Sequence, residues 1–79
     1  MTTKDVYELV ELLVEKSRND NYNDLADKLN DAMQLGSSGL EILGAIKNIF
    51  ISEADKINRL IGKKKTKEVI QFVNKIYCS

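Results

Sequence analysis

The chain has no histidine, no tryptophan and no proline, and its one cysteine is Cys78. Without histidine it lacks the commonest general base and the commonest metal ligand. A single cysteine excludes an internal disulfide framework, and with no histidine it also excludes the Cys and His ligand sets of zinc sites. Cys78 is therefore expected to be an inert thiol near a chain end. No apolar run reaches the roughly 18 residues of a membrane-spanning helix. The N-terminal residues also lack the basic-then-apolar order of a secretory leader, so the expected location is the cytoplasm. What remains is a 79-residue chain of 9.0 kDa, expected to form one domain over 1–79. A domain of this size buries only about 60–65% of its unfolded surface, which makes a thin core. With 43% hydrophobic and 30% charged residues the composition is that of a globular protein.

The formal net charge is zero, but the charge is divided along the chain. Residues 1–41 carry nine acids and four bases, a net of −5; residues 42–79 carry three acids and eight bases, a net of +5. Such asymmetry bears on partners and not on fold. Two solvated faces of opposite sign that attract each other within the folded molecule would account for it without any partner.

Apolar spacing is helical from end to end. Val6, Leu9, Val10, Leu13 and Val14 recur at three- and four-residue steps, which predicts a first helix capped by Thr2 or Thr3, with Asp5 in its first turn. The polar stretch Ser17–Asn23 reads as a loop. A second helix turns Leu25, Leu29, Ala32 and Met33 inward, and Gly36 suits its C-terminal stop. Ser38-Gly39-Leu40-Glu41 has the form of a capping box for a third helix whose apolar residues, Leu40 to Ile51, cover most of its circumference. Gly44 inside that helix marks a close helix–helix approach, since it otherwise costs roughly 1 kcal/mol relative to alanine. Ser52 is expected to cap a fourth helix ending at Gly62. Lys63–Lys65 forms a basic turn, and Thr66 through Tyr77 a fifth helix. No period-two alternation and no hairpin signal occurs. The expected fold is all-α, a single small bundle of four or five short helices.

Little in this pattern supports catalysis. The acid- and amide-rich stretch Asn19–Asp31 lacks the central glycine of a calcium loop. A bundle of this size leaves little room for a small-molecule pocket of about 300 Å³ or more. Gly36-Ser37-Ser38-Gly39 is explained as a helix stop followed by a cap, without the lysine and spacing of a phosphate loop. The expectation is a non-enzyme with no catalytic residue, cofactor or metal. Leu35-Gly36-Ser37-Ser38-Gly39-Leu40-Glu41 resembles the L-G-x-D-S-L element of acyl carrier proteins. However, Gly39 stands where the serine that takes the prosthetic arm would be, so only a degenerate carrier is implied.

A second resemblance covers about a third of the chain. Leu25-Ala26-Asp27-Lys28-Leu29-Asn30-Asp31-Ala32-Met33, then Gly36-Ser37-Ser38-Gly39-Leu40-Glu41-Ile42-Leu43 and a basic residue in the next turn, Lys47, is similar to an element of short bacterial helical proteins. Some of these are regarded as immunity proteins of contact-dependent growth-inhibition or polymorphic toxins. The resemblance implies a helical fold and a toxin partner, and it carries no catalytic residue.

Charge spacing leads to a compatible expectation. Glu8, Glu11 and Glu15 step by three and four along helix one, and Asp24, Asp27 and Asp31 do so along helix two. Packed as an antiparallel pair, the helices would merge these stripes into one acidic face for a toxin with a basic surface, such as a nuclease. The alternative is a small helical regulator that binds protein or nucleic acid through the lysines at 63–67, with Lys56 and Arg59 upstream. Against nucleic acid stand a pI of 6.2 and the placing of the lysines in a turn. An apolar patch on helix one or five would support a homodimer instead.

Overall fold

In a computed structural model, residues 1–34 and 38–78 are described; they form five helices and no strand. The helices are α1 (Thr3–Asn19), α2 (Asn23–Gln34), α3 (Gly39–Ser52), α4 (Ala54–Ile61) and α5 (Lys63–Cys78). The predicted all-α bundle is the observed architecture. Among the described residues no helix is long and apolar enough to cross a membrane.

Helix α1 begins as its first residues dictate. The Thr2 hydroxyl accepts the Asp5 backbone N–H at 3.2 Å, and the Thr2 N–H donates to Asp5 Oδ2 at 2.8 Å. This reciprocal box satisfies two backbone donors that would otherwise lack partners. The predicted loop at Ser17–Asn23 is corrected to Asp20–Tyr22. Helix α1 continues to Asn19 because Ser17 extends the buried stripe of Val6, Val10 and Leu13 by one more turn. Asn21 then takes the left-handed conformation, with φ 65°. The Tyr22 N–H bonds the Ser17 carbonyl at 2.7 Å, turning the chain back into α2.

Leu25, Ala26, Leu29 and Ala32 of α2 are buried. The expected stop at Gly36 lies outside the described residues. The Ser38 hydroxyl accepts the Glu41 N–H at 3.4 Å, one arm of the predicted box. On α3, Leu43, Ile46 and Phe50 are buried, and Phe50 is the largest wholly buried side chain. Leu40 and Ile51, expected to join the apolar circumference, are instead 51% and 54% exposed, because they stand at the two ends of the helix.

The predicted cap at Ser52 is also corrected. Ser52 is the last residue of α3, and its hydroxyl bonds back to the Ile49 carbonyl at 3.4 Å; Glu53 occupies the N-cap position of α4. Gly62, with φ 91° and ψ 149°, ends α4 in a conformation that side chains avoid. Because Gly62 makes the whole reversal alone, Lys63–Lys65 is not a turn but the first turn of α5. The Thr66 N–H and hydroxyl both bond to the Gly62 carbonyl, at 3.3 and 3.1 Å, locking that start.

Helix α1 packs on α2 and α4, α2 on α3, and α5 chiefly on α3 and α4. One core, from Val6 of α1 to Val73 of α5, runs through a molecule of 36 × 27 × 20 Å.

Candidate functional site

The six acids singled out by their spacing, Glu8, Glu11, Glu15, Asp24, Asp27 and Asp31, are all exposed. At about 100° per residue, each trio is centred about 160° from the buried stripe of its own helix. They form the outward backs of α1 and α2, the two halves of a helical hairpin. One is paired: Arg18 reaches from α1 to Asp27 on α2 at 3.3 Å, both side chains being largely exposed. Among the described residues the other five acids have no ion pair. Three carboxylates at three- and four-residue steps repel one another by a few tenths of a kcal/mol per pair.

The basic residues divide differently from their order in the sequence. Lys63, Lys64, Lys65 and Lys67 are exposed on the first turns of α5. Lys56, grouped with them by sequence, is engaged elsewhere: it bonds Glu53 at 3.3 Å and stands 5.8 Å from the centre of the Tyr22 ring. Glu53 also receives Lys28 of α2 at 2.9 Å, with its own side chain only 17% exposed. The Lys28 bond, followed by that of Lys56, holds the Glu53 carboxyl below the ordinary glutamate range. This two-cation clamp joins α2 to α4, so Lys28, Lys56 and Glu53 belong to the architecture. Sequence reasoning missed it, because 25 residues separate Lys28 from Glu53 and no helical period links them.

Among the described residues no three His, Cys, Asp or Glu side chains converge as metal ligands. The expectation that so small a bundle leaves little pocket volume is corrected in one respect. A groove of about 680 Å³, lined by Met1, Glu68, Gln71, Phe72, Asn74 and Lys75, runs beside α5. It is open to solvent along its length. Ser38, the hydroxyl nearest the carrier-like position, is occupied as the α3 cap, and Ser37 lies outside the described residues.

No family model matches the chain, and comparison with curated proteins and with solved structures gives no significant match.

Proposed function

We propose that this chain is a binding protein of the immunity type, which neutralises a cognate toxin by stoichiometric docking of its acidic α1–α2 face on a basic surface. A nuclease is the toxin class whose chemistry fits, because a site built for a polyanion is itself basic. The observation that carries the reading is the disposition of Glu8, Glu11, Glu15, Asp24 and Asp31: outward, exposed and without an ion pair among the described residues. A folded protein gains no stability from such like-charged rows. Complementary charge, by contrast, accelerates encounter and suppresses wrong partners, which an inhibitor of a toxin requires. The resemblance around Gly36–Leu43 supports the same partner class.

The test begins with the reading frames beside the gene and uses the product of any that encodes a toxin. Reversing Glu8, Glu11 and Glu15 to lysine should abolish protection of cells that express the toxin and weaken binding of the purified pair. Asp27 is left unchanged, because its pair with Arg18 would confound the result. Full protection by the reversed variant, or a gene neighbourhood with no toxin, overturns the reading.

A further inference from the structure

Helix α5 carries a second surface that the acidic face does not explain. Its buried residues are Thr66, Val69 and Val73. Lys64, Lys67, Gln71 and Lys75 are exposed and are centred about 170° from that buried stripe, with Lys63 and Lys65 on the two flanks. The row is about 16 Å long at 1.5 Å per residue. Glu68, half-buried, is its only acid. Among the described residues none of these lysines has an ion pair.

We infer that this outer row of α5 is an interaction surface for the phosphate backbone of a nucleic acid. Three observations lead there. First, the start of α5 disfavours its cations: Lys63, Lys64 and Lys65 stand at the positive end of a helix whose first turn holds no acid. Lys64 and Lys67, three apart, repel as well. Second, the row offers lysines and one amide, with no aromatic or arginine side chain to stack or fork, so whatever it binds is held by charge. Lysine acts on phosphate as a point charge that needs no fixed geometry. Third, the acids do not close the surface off. Helix α5 packs chiefly on α3 and α4, away from the backs of α1 and α2. None of the six acids of α1 and α2 is ion-paired to a lysine of α5 among the described residues. A row of lysines that contacts phosphate by charge carries no sequence information, so unrelated duplexes should bind alike.

The full chain is titrated against labelled DNA duplexes of about 20 base pairs, of two unrelated sequences, followed by fluorescence anisotropy. Both duplexes should bind equally. For about four phosphates neutralised, the plot of log K against log salt should have a slope of about −3.5, a loss of about a hundredfold between 50 and 200 mM. The combined Lys64→Gln, Lys67→Gln and Lys75→Gln variant should bind at least about tenfold more weakly, with a shallower slope. Its helicity and melting temperature should be retained, since all three positions are opposite the core. Glu8→Gln with Glu11→Gln should bind at least as well as the native chain. No binding at 50 mM salt, or an unchanged slope in the lysine variant, overturns the inference. Poly-L-glutamate bound as tightly as duplex of equal charge also overturns it, in favour of an acidic protein partner.

Discussion

The Tyr77 phenol of α5 lies directly over Gly44 of α3, and its hydroxyl donates to the Leu40 carbonyl one turn earlier. A Cβ built on Gly44 would fall 2.5 Å from the Tyr77 oxygen, so the missing side chain is what admits the ring. The close helix–helix approach expected from a glycine in mid-helix is this contact, and it holds the last turn of α5 against α3.

Two opposing effects then govern Gly44→Ala. Alanine favours the helix by about 1 kcal/mol, while displacing the hydroxyl gives up a hydrogen bond of about 1 kcal/mol. In the native chain the substitution should be close to neutral. With Tyr77→Phe already in place, the hydroxyl is gone and Gly44→Ala should stabilise by nearly its full helix gain. A double-mutant cycle by urea denaturation should give a coupling of about 1 kcal/mol. Additivity would show that the phenol does not depend on Gly44.

Glu53 sets the acid limit of the α2–α4 junction. Its folded carboxyl is held below the ordinary range by Lys28 first and Lys56 second. The stabilisation is therefore present above the unfolded pKa and is lost as pH falls through the folded value. Glu53→Gln should cost about 1 kcal/mol at neutral pH and progressively less as pH falls through the folded value, because the native chain then loses the same bonds. Melting curves of the two proteins should converge on acidification. A constant gap across that range would mean that the carboxylate charge contributes nothing.

What could be read from residue spacing is whatever a helix repeats locally. Val6, Val10 and Leu13, the cap at Thr2, the cap at Ser38 and the stop at Gly62 are each set within four residues, and all stand where their spacing puts them. Spacing misleads where a polar segment is nevertheless helical. Ser17 is polar yet keeps the register of the buried stripe. Lys63–Lys65 is a charge run, yet lysine is a good helix former and Gly62 had already made the turn. The acidic rows were legible as rows. The engagement of Lys56 away from the α5 lysines was not, because only the fold brings Tyr22 beside it and Lys28 onto its neighbour Glu53.

Ser17 itself is wholly buried, and among the described residues its hydroxyl oxygen has no hydrogen-bond partner. An unpaired buried polar group costs about 1–3 kcal/mol, and serine is also a weaker helix former than alanine. Ser17→Ala should therefore stabilise by about 1 kcal/mol and raise the melting temperature by about 4–8 °C. A loss of stability would show that the hydroxyl has a partner that matters, such as a buried water.

The acidic row of α1 should reveal its purpose through opposite signs. Glu11 is flanked at three residues by Glu8 and at four by Glu15, and its remaining helical neighbours at those distances, Tyr7 and Val14, are uncharged. Every charge one helical turn away from it is repulsive, by about 0.2–0.5 kcal/mol per pair. Glu11→Gln should thus stabilise the isolated protein by about 0.5 kcal/mol, and the gain should shrink as salt screens the repulsion. The same substitution should slow association with a basic partner and flatten its salt dependence, since rim charges act mainly on the encounter rate. Denaturation midpoints and association rates measured across a salt series on one pair of proteins give both quantities. A variant that gains stability and loses association speed has exchanged a binding charge for a folding one. If Glu11→Gln leaves both unchanged, the α1 row is only a solvated helix face and the partner docks elsewhere.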